Sequence, residues 1–174
     1  ILKVDRYDTD EYYFTGASGT RMVVHNPKID ELNTAERQYL VNYIGAFETA
    51  LYGPNFKDPE IGYAAYIDVD SFIDEHILVE MTKQIDGYRL SNYYYFDQDT
   101  KLTSGPVWDY NLSLGNADYL EGNIPTGWYY PLISDRTQYP YYTRLFEDPD
   151  FRQQYVDRWA ELRRTIFATD TVMA

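Results

Sequence analysis

Over the first 25 residues, apolar positions come in short runs, ILKVDRY, YYF and RMVV, broken by the turn-rich DTDE and TGASGT. This pattern predicts three short strands forming a β-meander at one edge of the fold. At Asn33 the period changes from two to between three and four, and TAERQYLVNYIGAFETAL sets Leu40, Ile44, Phe47 and Leu51 on one face. Asn33 with Glu36 three positions on has the form of a capping box, so a helix is expected from there to just before Gly53-Pro54. After the polar link GPNFKDPEIG, Asp70 is placed to cap SFIDEHILVEMTKQ, in which Ile73, Ile77, Met81 and, just beyond, Ile85 recur every four residues. That helix delivers the chain to Asp86.

Beyond it, YYYF and KLTSGPVW flank the turn sequence DQDT and predict a hairpin between Asn92 and Asp109. From Gly115 to Pro140 the chain is rich in Gly, Pro, Asn and Tyr without a clear period, the pattern of a long ordered loop packed by its own rings. Asp148-Pro149 then opens a third helix, with Phe151, Tyr155, Trp159, Leu162 and Ile166 as its buried stripe. No repeat or flexible linker interrupts the chain, and the fold class is α+β in a single domain over residues 1–174.

Composition narrows the chemistry. With 15 Lys and Arg against 28 Asp and Glu, the net charge of −13 disfavours nucleic acid and anionic membrane surfaces as partners. There is no cysteine, and His25 and His76 are the two histidines, so a metal would need oxygen ligands, which points to Mg2+, with Mn2+ or Ca2+ as the other options. No apolar run reaches transmembrane length, so membrane insertion is not expected.

The informative order lies in ILVEMTKQIDGYRLSNYYYFDQDTKLTSGPVWDYNLSLGN: an acid after a helix, an amide shortly beyond, and a second acid after a hairpin. Protein-kinase sites use this order, with one Asp orienting the attacking hydroxyl and a nearby Asn and a later Asp holding magnesium against the nucleotide phosphates. Asp86 to Asn92 spans six positions, against five in H-R-D-x-x-x-x-N, and neither an H-R nor a D-F-G accompanies the acids. Each residue also has a structural reading. Asp86-Gly87 is a favoured turn pair, Asn92 can close a loop on its own backbone, and Arg89 can pair with a phosphate, pair with Asp86 or stay solvated. Asp109 follows an apolar run ending in Trp108, where an acid is costly to bury unless paired or metal-bound. His76 reads as a partly exposed residue at the core edge. Asp8, Asp10 and Glu11, like Asp97 and Asp99, read as solvated turns that miss the EF-hand spacing.

Several segments together resemble the spore-coat protein H (CotH) kinase family: VDRYDTDEYYF, VVHNP before a helix, YIDVDSFIDEHILVEM, Asp86-Gly87-Tyr88 with Asn92, GPVWDYNLSLGN and RWAELRRTIF. The resemblance covers nearly the whole chain. It implies an atypical protein-kinase-like fold and a secreted or surface-associated bacterial kinase that uses ATP and a divalent metal on protein substrates. Matched by position, Asp86 is the catalytic acid, Asp109 the metal-binding Asp and Asn92 the second ligand. Asn111 stands where the family usually has a further Asp, which lowers the carboxylate count of the metal set. In the family, the strands that grip the nucleotide phosphates lie upstream of the matched region, so the chain corresponds to a C-terminal part with that lobe absent. Two other functions stay open: a non-catalytic binding module of the same fold, and a carbohydrate-binding domain using rings such as Tyr119, Trp128, Tyr129, Tyr130, Tyr139, Tyr141 and Tyr142.

Overall fold

The first strand, β1 (Leu2–Val4), has all three residues buried because it lies in the middle of a sheet. With β2 (Tyr12–Thr15), β3 (Arg21–Val24), β4 (Asn92–Tyr95) and β5 (Thr103–Ser104), it forms a five-stranded sheet in the order β2-β3-β1-β4-β5. Every pairing is antiparallel. The expected meander is therefore corrected: β2 and β3 form a hairpin, but β1 pairs with β3 on one side and with β4 on the other. The computed structural model describes residues 1–132 and 141–173, and the rest of the long loop, including Tyr139 and Pro140, lies outside the described residues.

Helix α1 (Thr34–Tyr52) begins as expected. Asn33 Oδ1 accepts from the N–H groups of Ala35 and Glu36 at 2.9 and 3.0 Å, and Glu36 returns to the Asn33 N–H at 2.9 Å. Its buried face carries Ile44, Phe47 and Leu51, and Leu40 is half-buried. Helix α2 (Val69–Thr82) starts earlier than the sequence indicated, because Asp68 and not Asp70 is the cap, accepting from Ser71 N at 3.1 Å. The main-chain pairing of Asp68 N to Leu102 O at 2.9 Å fixes the cap beside β5. Met81 on α2 is 44% exposed, since only one side of this turn meets the core.

The hairpin lies where it was expected, but β5 ends at Ser104. Gly105-Pro106 follows, and proline has no N–H to extend the ladder. Three helices complete the described chain: α3 (Tyr142–Leu145), α4 (Pro149–Arg164) and α5 (Thr169–Val172). Asp148 caps α4 and also accepts from Tyr63 Oη at 2.8 Å. Phe151, Tyr155 and Leu162 of α4 are buried, whereas Trp159 is half-exposed and Ile166, past the helix end, is exposed. Arg158 of α4 grips Asp74 of α2 with two nitrogens, at 2.7 and 2.8 Å.

Two buried acids hold the N-terminal part together, and the sequence pattern hid both. Glu48 of α1 accepts from Ser18 N, Ser18 Oγ and Tyr141 Oη at 2.8 to 3.0 Å. Its carboxylate comes so close to Gly16 that a Cβ there would sit 2.4 Å from Oε2. Glu11, read above as part of a solvated turn, is instead buried and bonded to Lys3 at 3.0 Å, His25 at 2.7 Å and the Asp8 N–H at 2.9 Å. Burial alone would raise its carboxyl, but the Asp8 N–H, His25 and Lys3 outweigh that and hold it down at about 2. Asp8 and Asp10 are exposed, as expected.

Phe47, fully buried with its ring centroid 4.9 Å from that of Tyr141, anchors α1 to the core. Phe47→Ala should destabilise the fold by about 3–5 kcal/mol, measured by urea unfolding at neutral pH. Glu11 sets a pH dependence. Its folded value lies below the 4.5 of a free carboxyl, so the unfolded chain takes up the proton first and stability falls as pH drops from 4.5 to about 2. Unfolding free energies across this window should show a slope in the wild type that Glu11→Gln flattens.

Candidate functional site

Helix α2 stops because Lys83 adopts the left-handed conformation (φ 51°, ψ 48°), with its N–H turned back onto Glu80 and Val79 carbonyls. Gln84 and Ile85 follow, both fully buried, and the chain then turns at Asp86. The Asp86 carbonyl accepts from the N–H groups of Arg89 and Leu90 at 3.1 and 2.8 Å. Gly87 passes so near α2 that a Cβ would lie 2.7 Å from Val79 Cγ2. Of the three readings of Arg89, the structure gives the ion pair: its Nη2 lies 2.9 Å from Asp86 Oδ1, with both side chains part-buried.

The second acid arrives on a turn of its own. Asp109 is left-handed (φ 54°, ψ 60°) without a side-chain cap, and leads into a 3-10 turn, Tyr110–Leu112. Asp109 is exposed, and Trp108 is 49% exposed beside the Tyr93 ring at 5.2 Å. The cost of burying an acid at the end of an apolar run therefore does not arise. Burial first, then the carboxylates of Asp5, Glu11, Asp109 and Asp8, push the Tyr93 hydroxyl up to about 12. Asn111 is exposed on the 3-10 turn, with its main-chain carbonyl accepting from Asn116 Nδ2 at 2.7 Å.

Three ties dock the Asp109 turn against α2 and its C-terminal extension. Gln84 Nε2 donates to Asp109 O at 2.6 Å, Leu114 N donates to Thr82 O at 2.6 Å, and Tyr110 Oη donates to Glu75 Oε1 at 3.1 Å. Gln84 also accepts, through Oε1, from the Asp86 N–H at 3.2 Å. The main chains of Asp86 and Asp109 are thus brought together by one side chain. Burial raises the Glu75 carboxyl, an effect the Tyr110 hydroxyl partly offsets. In the sequence Gln84 and Glu75 are ordinary polar positions at and beside a helix, and their partners lie 25 and 35 positions away, where no local period reports them.

Asn92 is placed differently. It opens β4 at 1% exposure, and both Oδ1 and Nδ2 are buried without a protein hydrogen-bond partner. Strand alternation puts it on the same face as Tyr94, whose ring stacks on Phe72 of α2, and opposite Tyr93, beside which Asp109 lies. The amide stands near the Tyr94 hydroxyl, although neither meets hydrogen-bond geometry. Among the described residues, no three His, Asp or Glu side chains gather as a metal-holding group. The expected metal ligands, Asp109, Asn92 and Asn111, comprise one carboxylate and two amides.

A separate cleft of about 570 Å³ lies between α2 and α4, walled by Trp128, Tyr130, Phe146, Tyr155 and Trp159. Glu80 pins the segment that carries Trp128 and Tyr130, accepting from Tyr129 N at 2.6 Å, Tyr130 N at 2.7 Å and Tyr88 Oη at 2.8 Å. His76 lies behind this wall, fully buried and not at the core edge as expected. Burial holds its imidazole down at about 3, hence neutral, and six aromatic rings surround it with centroids 4.7 to 6.3 Å away. Of the rings considered for a sugar platform, Tyr129, Tyr141 and Tyr142 are buried in the core, while Tyr119 and Trp128 are exposed.

Among the described residues, no helix is long and apolar enough to cross a membrane. No curated protein and no solved structure matches the chain. A family described as CotH kinase protein matches residues 1–174, so all the residues placed above fall inside the matched region. On that match over its whole length, the chain belongs to the CotH kinase family.

Proposed function

We propose that this chain supplies the catalytic-loop part of an atypical, protein-kinase-like fold that transfers phosphate from ATP to protein substrates with the help of a divalent metal. The observation that carries the proposal is the adjacency of the two acidic turns, each bonded through its main chain to Gln84, within a chain of the CotH kinase family. In this reading Asp86 orients the substrate hydroxyl and accepts its proton. Asp109 is the anionic metal ligand, with Asn92 and Asn111 as amide-oxygen ligands, and Arg89 steadies Asp86 or meets a phosphate. Magnesium, the metal whose chemistry these oxygen donors fit best, would neutralise charge on the nucleotide phosphates. One feature supports this fit: Asp109 is open to solvent on a turn docked beside Asp86. Secretion or surface display goes with the family's spore-coat name.

A second reading is favoured by the aromatic cleft, which is large enough for a ligand or a peptide side chain and has none of the candidate site residues in its wall. With Asn111 replacing an acid and Arg89 occupying Asp86, a non-catalytic binding module would use that cleft instead.

The two readings separate on two substitutions. Asp109→Ala should abolish transfer and weaken Mg2+-ATP binding, because a metal ligand acts in the ground state too. Asp86→Ala should cut transfer by about 100-fold or more while largely sparing nucleotide binding. A phosphate-transfer assay run beside an ATP-magnesium titration measures both, and full activity in Asp86→Ala would overturn the kinase assignment.

A further inference from the structure

We infer that Gln84 is a positioning residue for the proposed phosphoryl-transfer site: its one side-chain amide sets the Asp86 and Asp109 main chains against each other and holds Asp109 in the left-handed conformation in which it is exposed. The inference rests on the kinase reading above and adds a residue to which that reading gives no role.

A non-glycine residue at φ 54° and ψ 60° crowds its Cβ against the following carbonyl, and Asp109 has no side-chain cap to offset this. Aspartate tolerates this region better than most residues, so the cost is modest, and a contact from another element is enough to select it. The Asp109 carbonyl is held by Gln84 Nε2 at 2.6 Å, the shorter of the two bonds the amide makes. Gln84 is fully buried, so water does not compete for that bond, and Lys83, itself left-handed at the end of α2, sets the direction in which Gln84 leaves the helix.

A glutamine offers an N–H and a carbonyl on one planar group, and here the N–H serves Asp109 while the carbonyl serves Asp86. Glutamate keeps the acceptor for the Asp86 N–H but, when ionised, cannot donate to Asp109. Methionine has similar length and does neither. Asparagine is one carbon shorter and cannot span both. The two substitutions Gln84→Glu and Gln84→Met thus remove the bridge in separable steps. The supporting ties, Leu114 N to Thr82 O and Tyr110 Oη to Glu75, stay in place in both variants, so the Asp109 turn remains docked while its backbone loses the contact that orients it.

The test uses Mn2+ as a paramagnetic probe with amide NMR spectra of the chain. In the wild type, Mn2+ should broaden the amides of Asp86 and of residues 109–111, and Mg2+ should reverse the effect. Gln84→Met should weaken Mn2+ at this site by about ten-fold or more, the usual consequence of losing a group that orients a ligand. Gln84→Glu should shift the Asp109 and Tyr110 amides while leaving that of Asp86 near its wild-type position. If Gln84→Met fails to fold, Gln84→Glu carries the test. Phe47→Ala serves as a control that lowers stability without changing Mn2+ affinity. Wild-type broadening with unchanged affinity and unchanged 109–110 amides in the variants overturns this inference alone. Absence of broadening at Asp86 and Asp109 in the wild type overturns the metal-site reading and the positioning role with it.

Discussion

The burial of helix α2 on several sides at once is the constraint from which the rest of the structure follows. Phe72 stacks on Tyr94 of β4, Asp74 is held by Arg158 of α4, and His76 is enclosed by rings from the 128–130 segment and from α3 and α4. A helix packed in this way cannot leave polar groups unpaired without a large desolvation cost, so each of its inward acids has acquired a distant task. Glu75 receives Tyr110 and Glu80 receives the segment at Tyr129 and Tyr130. The helix fixes the sheet, the aromatic wall and the turn at Asp109 through side chains less than three turns apart.

The same economy explains how a chain with net charge −13 keeps a compact N-terminal sheet. Most of its acids are exposed and repel one another only through solvent, where screening is effective. Glu11 and Glu48, both buried in this part of the chain, are satisfied by several donors each. Glu11 ties β1 to the approach to β2, and Glu48 ties α1 to the loop before β3 and to Tyr141. A buried carboxylate with three partners specifies one arrangement more sharply than apolar contact does, since any other arrangement leaves a charge stranded.

The candidate site sits at the end of this chain of constraints. Asp86 and Asp109 come from turns that α2 places side by side, whereas Asn92 lies on the helix-facing side of β4 with an amide that no protein atom satisfies. An open acid, an acid engaged by arginine and an orphaned amide are three different electrostatic situations within one short stretch of sequence.

The sequence by itself determined the α+β class, the three long elements α1, α2 and α4 with the Asn33 and Asp148 caps, the hairpin between Asn92 and Asp109, and the family. These depend on period, turn chemistry and short-range spacing, which are written locally. It misplaced what depends on neighbours far along the chain. Strand β1 is central because β4 arrives from ninety positions away to pair with it, Asp68 caps α2 because Leu102 fixes its backbone, and His76 is enclosed by rings such as Phe146, seventy positions away. Gln84 shows the difference most sharply. In the sequence it is one more polar residue closing a helix, and only the tertiary structure, by bringing Asp109 against α2, gives its amide two backbones to join.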